Sequence, residues 1–540
     1  MRRRNTIIFC ALAISFILLI GRLIQIQYFK SDELNLKANA QHTYKENISE
    51  LNYDILDCSG KSLIEYSNKY VLVIDTITFK RENNSTPLDQ VYALDYILKN
   101  YDKTYDLMIS LNKGGEGKKY FVIDEECKHK IEELEQLKGI YTYDYNEINR
   151  MESWNLINMV TKGINKDNEK ESIEGMLYDV IKDNKTSTIT YEKDDNGNIK
   201  QESIDTNKGN CNIQLTLNKD MEDKVKNIIN KDDYSKYKDV GVAIMECNNG
   251  KIRAMVQKDD SRPNILLAST TENGYAPGSI FKLIVLEAAL NEKLITPSDK
   301  FLCEYNPLLP CKKGHGNLTL QDALVQSCNN IFAQIGTKVG GETLIKYAKA
   351  QGFFDKTLRF SGDKEVPGDY AIDDIDKGGV TNISIGQNMR IAPIQALSLP
   401  ATVVNEGAFI RPSILEKVVD NDGKVIQSFS EDKTKVFDKT VSGYVKSLMK
   451  QVILNEKGTG KEAFVAGVDM GGKTGTATRM EPSENGKMEK HDDGWFIGYF
   501  KINNKYYSMM VFVKDIEDNQ GGGSTAAPIF RDVIKELIGK

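Results

Sequence analysis

Ser279 and Lys282 are three residues apart in the segment Ala276-Pro277-Gly278-Ser279-Ile280-Phe281-Lys282, at the start of a long apolar run. A lysine one helical turn after a serine can take the proton of the serine hydroxyl, which makes the pair a lysine-activated nucleophile suited to acyl transfer. The string S-x-x-K alone is weak, because this lysine-rich chain carries it at Ser110, Ser235, Ser279, Ser361, Ser430 and Ser447. Only at Ser279 does a Pro-Gly breaker lead into Leu283-Ile284-Val285-Leu286 and Ala288-Ala289-Leu290, a pattern that predicts a buried helix with Ser279 in its first turn. Burial of Lys282 would penalise its charged form and leave a neutral amine as base. The free N–H groups of the helix N-terminus would lie near the reacting atom.

Two further strings follow in order. Ser327-Cys328-Asn329 comes after the helix-like stretch Leu320 to Gln326; S-x-N also occurs at Ser110 and Ser483, so here too context selects. Ser327 could relay a proton and the Asn329 amide could hold a substrate carbonyl. Lys473-Thr474-Gly475-Thr476 is the sole K-T-G of the chain. On a strand, Thr474 and Thr476 would face one way, Gly475 would let substrate approach the backbone, and Lys473 would supply a cation for a carboxylate.

With these three motifs the chain resembles the penicillin-binding proteins and serine β-lactamases, whose active sites carry S-x-x-K, S-x-N and K-T-G. The resemblance extends to Ser384-Ile385-Gly386-Gln387 with Pro393 to Leu397, to Gly494-Trp495-Phe496-Ile497-Gly498-Tyr499, and to an opening hairpin at Gly241 to Met245 and Gly250 to Val256. It therefore covers roughly the last three-fifths of the chain. It implies an α+β transpeptidase fold, an antiparallel sheet flanked by helices. It also implies Ser279 as acylated nucleophile, Lys282 as its base, Ser327 and Asn329 as relay and anchor, and Lys473, Thr474 and Thr476 completing the site. The oxyanion hole would be the backbone N–H groups of Ser279 and Thr476. No cofactor is implied. The histidines are His42, His129, His315 and His491, and their spacing suggests no metal site. His315-Gly316 falls where the family often has His-Gly before its second motif, which implies a structural role.

A chain of 540 residues, 40% hydrophobic and 27% charged, is long enough for two or more domains, and its net charge of −6 argues against general nucleic-acid binding. Met1-Arg2-Arg3-Arg4 precedes an apolar run from Ile7 to Ile26, about 30 Å of helix if continuous, with Arg22 near the outer end able to snorkel. The arginines place the N-terminus in the cytoplasm, and without a small-x-small cleavage site the run reads as an uncleaved anchor rather than a signal peptide. The expected organisation is a cytoplasmic tail over 1–6, a transmembrane anchor over 7–27, a non-catalytic pedestal over 28–210 and a catalytic domain over 211–540. The localisation that follows is a single-pass cell-membrane protein with its catalytic domain outside the cytoplasm. Of eight cysteines, Cys10 lies in the apolar run and Cys328 inside the second motif. Cys303 and Cys311 flank Asn306 to Pro310 and could close a small disulfide loop or stay free; similar cysteines recur at this place in some relatives.

The region up to about residue 210 shows short strand-like and helix-like pieces, Tyr70 to Ile74 and Lys128 to Leu137 among them, and no recognisable chemistry. Ile55-Leu56-Asp57-Cys58-Ser59-Gly60, and Ser172-Ile173-Glu174 with Tyr178-Asp179, resemble in degraded form the pedestal of the monofunctional, class B penicillin-binding proteins. The first lacks the arginines of the family's RGxIxDRxG box. Asp194 to Gly197 reads as a hairpin turn, Cys211 to Leu217 as a strand, Phe500 to Val513 as a closing strand pair, and Pro528 to Ile538 as a C-terminal helix. There is no motif of a bifunctional enzyme's glycosyltransferase domain. The resemblance implies a peptidoglycan D,D-transpeptidase acting on stem peptides, acylated by β-lactams, partnered by a polytopic membrane glycan polymerase. Two other readings stay open at this point, a β-lactamase or β-lactam-sensing domain and a non-catalytic cell-wall scaffold.

Overall fold

The computed structural model describes residues 2–25, 43–112, 117–152, 154–194, 198–269, 271–304, 311, 314–371, 379–482 and 487–540. The chain divides into two compact units. The smaller comprises Met1–Asn52, Glu65–Asn149 and Asn184–Lys208; the larger comprises Tyr53–Ile64, Arg150–Asp183 and Gly209–Lys540.

In the smaller unit, Tyr66–Asp75 is the central strand of an antiparallel sheet, flanked by Lys118–Ile123 and Ile140–Ile148. Its β-branched and aromatic side chains alternate between two interiors. Leu72 and Ile74 pack with Phe79, Leu94, Leu98 and Phe121, while Val71 and Val73 pack with Tyr44, Tyr141, Tyr143, Ile189 and Tyr191. Where Lys128 to Leu137 reads as helix-like, the helix runs earlier, over Glu125–Glu132, capped by the Asp124 carboxylate accepting from the Cys127 N–H. Thr188–Lys193 and Ile199–Asp205 pair antiparallel where a hairpin is expected. Of its expected turn, residues 195–197 lie outside the described residues. The N-terminal apolar run is helical over Arg2–Ile24. Among the described residues no helix is long and apolar enough to cross a membrane.

The larger unit is built on a five-stranded antiparallel sheet in the spatial order Ile252–Gln257, Val240–Glu246, Lys505–Ile516, Met488–Ile502, Met470–Pro482. Alternation along Lys505–Ile516 divides its two faces. Met509, Val511 and Val513 join Phe530, Val533 and Ile534 of the C-terminal helix Ala526–Leu537. Phe512 points the other way, with its ring 4.4 Å from that of Trp495 and 4.8 Å from that of Tyr275. On that second side runs the serine helix, Lys282–Asn291, which is buried on every face from Lys282 to Leu290, as an all-round apolar sequence requires. The fold is thus α+β, an antiparallel sheet flanked by helices.

The division of contacts differs from a pedestal running unbroken from 28 to 210, because two of its segments belong to the larger unit. Ile55-Leu56 pairs in parallel with Ile213-Gln214. The Asp57 carboxylate there accepts from the Ser59 N–H and hydroxyl at 2.8 and 2.6 Å, from the Lys61 N–H at 2.9 Å and from the Lys219 N–H at 3.2 Å. Burial raises its pKa, and these hydrogen bonds outweigh that and hold it below the usual carboxylate value. Glu174, fully buried, accepts from the Lys364 ammonium at 2.7 Å and the Ser361 N–H at 2.9 Å, which ties the helix Ile173–Ile181 into the larger unit.

Candidate active site

Ser279 lies in a 3₁₀ turn, Gly278–Phe281, that runs directly into the serine helix, rather than within the α-helix itself. Gly278 makes this turn possible. It sits at φ +56, and a Cβ there would lie 2.4 Å from the Thr476 carbonyl oxygen. The Ser279 and Thr476 backbones are therefore held against one another. Behind the turn, the Gly278 N–H donates to the Gly386 carbonyl at 3.0 Å, and Gly386 is itself so close that a Cβ would fall 2.0 Å from the Gly278 oxygen. This is the packing reason for the Ser384 to Gln387 string.

Lys282 is completely buried and its ammonium meets three acceptors: the Ser327 carbonyl at 2.7 Å, the Ser327 hydroxyl at 3.2 Å and Asn329 Oδ1 at 2.6 Å. Lys473, also completely buried, donates to the same Ser327 hydroxyl at 2.9 Å and to the Thr474 carbonyl at 2.9 Å. Ser327 thus bridges the two lysines. It does so from the left-handed region, φ 53, in the turn between the helices Leu320–Val325 and Asn329–Val339, a conformation that costs a non-glycine residue on the order of 1 kcal/mol. Burial lowers the pKa of Lys282 to about 7. Burial, joined by the charge of Lys282, pushes Lys473 well below its ordinary value. At neutral pH the cluster has an amine ready to accept a proton.

Lys473 to Thr476 lies on the edge strand Met470–Pro482. Ser279, Ser327, Thr474 and Thr476 line one open cleft of about 500 Å³ with Thr459, Lys461, Gly521, Gly523 and Ser524. Gly475 has a different reason from the expected one. A Cβ there would meet Ile280, Trp495 and the Pro277 carbonyl at 3.0 Å, so the glycine admits the serine turn rather than substrate. Sequence reasoning missed Thr459, whose hydroxyl receives that of Thr474 at 2.8 Å, and the loop Gly521-Gly522-Gly523. The Gly522 N–H donates to the Thr476 hydroxyl at 3.2 Å, and a Cβ on Gly522 would lie 2.0 Å from the Trp495 oxygen and 2.4 Å from the Gly475 oxygen. Three consecutive glycines after the last strand were the available signal. Sequence reasoning also missed that Cys303, Cys311, His315 and Cys328 converge, a set able to hold a metal ion; the three cysteines are free thiols, with no Cys303–Cys311 disulfide.

A half-exposed serine followed by a buried lysine of lowered pKa, a hydroxyl linking it to a second lysine, and a serine turn packed through Gly278 against the Thr476 carbonyl define a serine acyltransferase site of the lysine-activated kind. Residues 240–535 match the penicillin binding protein transpeptidase domain, and the chain belongs to that family. Stage V sporulation protein D of Bacillus subtilis is 27% identical over 457 residues, 78% of this chain and 68% of that protein. Penicillin-binding protein 1A of Clostridium botulinum is 26% identical over 61% of this chain and 39% of its own length. A peptidoglycan D,D-transpeptidase FtsI homolog of Mesostigma viride is 27% identical over 55% of this chain and 56% of its own. The chain thus spans from about two-fifths to about two-thirds of the length of these relatives. In fold it is similar to a peptidoglycan synthetase of Bifidobacterium adolescentis (TM-score 0.65, 18% identity, 92% of this chain and 96% of that one). It is likewise similar to penicillin-binding protein 3 of Mycobacterium tuberculosis complexed with aztreonam (TM-score 0.60, 16% identity, 92% and 97%).

Proposed function

We propose that the chain is a membrane-anchored, class B peptidoglycan D,D-transpeptidase. The observation that carries the reading is the hydrogen-bonded line Lys282–Ser327–Lys473, because it supplies a base, a relay and a cation behind the cleft that Ser279 and Ser327 line. Ser279 Oγ attacks the carbonyl of the penultimate D-alanine of a stem peptide as its proton passes to the neutral amine of Lys282. The oxyanion is met by the N–H groups of Ser279 and Thr476, each donor contributing roughly 3 kcal/mol. Collapse of the tetrahedral adduct breaks the peptide bond, and D-alanine leaves with a proton returned through Ser327. The amine of a neighbouring stem then attacks the acyl-serine, loses a proton to the same base, and releases Ser279. The terminal carboxylate of the donor stem is met by the hydroxyls of Thr474 and Thr476 and the charge of Lys473, while Asn329 offers its amide to the peptide. A β-lactam presents the same carboxylate and a strained amide, so it acylates Ser279 as a substrate does.

The proposed anchor is the apolar run over 7–27, which follows three arginines. The catalytic domain then stands outside the cytoplasm, and the partner is a polytopic glycan polymerase in the same membrane. The test is to give the full chain in detergent a pentapeptide stem and an acceptor amine. Release of D-alanine together with the cross-linked product, both lost in Ser279→Ala, supports the reading. Fast hydrolysis of penicillin without cross-linking replaces it with a β-lactamase, and acylation with neither points to a sensing or scaffolding domain.

A further inference from the structure

Cys303 ends the strand Lys300–Cys303, His315 immediately precedes its antiparallel partner Gly316–Thr319, Cys311 lies in the connection, and Cys328 caps the helix Asn329–Val339. Their ligand atoms all lie within 4.8 Å of one another. Cys328 Sγ is 3.3 Å from Cys303 Sγ and 3.6 Å from Cys311 Sγ, and Cys303 Sγ is 3.4 Å from His315 Nδ1. Zinc bound tetrahedrally by sulfur at about 2.3 Å and imidazole nitrogen at about 2.0 Å separates its ligands by about 3.5–3.8 Å. Three of the six spacings, 3.3 to 3.6 Å, are close to those of such a site, and the other three lie within 4.8 Å, so small side-chain rotations complete it. The three thiols are buried while His315 is exposed, which leaves an entry path for an ion on the imidazole side.

We propose that Cys303, Cys311, His315 and Cys328 bind one zinc ion, or another thiophilic divalent ion of tetrahedral preference, as a closed structural site. Binding replaces the three thiol protons, which go to solvent, and leaves the neutral imidazole as the fourth ligand, with no change of oxidation state. Four protein ligands leave no open position, so the ion does no chemistry on substrate. Its consequence is positional. Cys328 stands between Ser327 and Asn329, the two residues that receive Lys282, and Ser327 is held in the left-handed region. An ion gripping Cys328 from the hairpin side fixes both neighbours; Asn330 and Gln334 already tie that helix to the hairpin through the carbonyls of Glu304 and Leu302. This positional part rests on the proposed acyl-transfer reading, and the binding part does not.

The experiment takes the full chain, purified under reducing conditions, strips it with a chelator and titrates it with zinc chloride alone. Bound metal is read by mass spectrometry, and the cobalt-substituted form by absorption. The expected result is one zinc per chain and the visible and charge-transfer bands of tetrahedral cobalt with thiolate ligands. Both should be lost in Cys311→Ser and His315→Ala, and retained in His315→Cys and in Cys211→Ser, a cysteine outside the cluster. If Cys311→Ser fails to fold, the His315 pair still decides, because loss in alanine with recovery in cysteine is not a folding effect. Zinc loading should speed acylation of the stripped wild type by fluorescent penicillin about tenfold. Absence of zinc, or equal zinc in wild type and both loss variants, would overturn the site. So would two of the three thiols resisting alkylation until reduced, which would make the cluster a disulfide. Zinc bound without any acylation would leave the site standing and count against the transpeptidase reading.

Discussion

Gly278→Ala isolates what the close approach of the serine turn to the K-T-G strand does. The residue sits at φ +56, so an alanine there costs roughly 1–2 kcal/mol in backbone strain alone. Its Cβ would also lie 2.4 Å from the Thr476 carbonyl oxygen, below the 3.0 Å that real Cβ contacts respect, so the turn and the strand must separate. That contact is backbone to backbone, and no side chain can rotate away from it. The separation falls between the two amides assigned to the oxyanion, and losing one such donor is worth roughly 3 kcal/mol, about a hundredfold in the acylation rate. Gly362→Ala is the control. It carries the same kind of strain, φ +64, with nothing within 4 Å of the new methyl group. The assay is the second-order rate of acylation by fluorescent penicillin, read beside the thermal unfolding midpoint. Both variants should melt a few degrees lower, and only Gly278→Ala should lose about two orders of magnitude in rate. A Gly278→Ala chain acylating within about twofold of wild type would refute the assignment of these two amides.

Other outcomes follow from the same geometry. Because burial brings Lys282 to about 7, acylation should rise as pH increases through that value and the ammonium becomes an amine; the groups facing it are Lys473, Cys328 and Cys311. A rate flat from pH 5.5 to 8.5 would exclude Lys282 as the base. Glu174→Gln leaves the Lys364 ammonium without its buried partner and should destabilise the larger unit by about 3 kcal/mol in urea unfolding. Gly522→Ala places a methyl 2.0 Å from the Trp495 oxygen; it should displace the glycine loop and slow acylation at least tenfold, whereas an unchanged rate would remove that loop from the site.

The three motifs are legible in the sequence because each is local: the residues that do the chemistry are held by one turn, one helix start or one strand. The closing strand pair over Phe500 to Val513 was legible as a long apolar stretch, and the strand at Gly494 to Tyr499 through the family resemblance. What sequence reasoning missed is non-local. Thr459, Gly521 and Gly523 reach the cleft from loops outside the three motifs. Cys303, Cys311, His315 and Cys328 lie at spacings that follow no familiar ligand pattern, and a hairpin and a helix start must fold together before they meet. The docking of Ile55 to Gly60 was hidden because one of the N–H groups that the Asp57 carboxylate gathers comes from Lys219, far along the chain. Gly475 was legible as a requirement but not for its cause, since only the fold brings Ile280 and Trp495 against it.

The most direct test of the account is to incubate the full chain with fluorescent penicillin and follow intact mass over hours beside Ser279→Ala. The account predicts a single adduct, mapped to Ser279, that persists for hours and is absent from the variant. An adduct that forms on Ser279→Ala equally well would contradict the assignment of the nucleophile, and one that is lost within minutes as the drug is hydrolysed would contradict the transpeptidase.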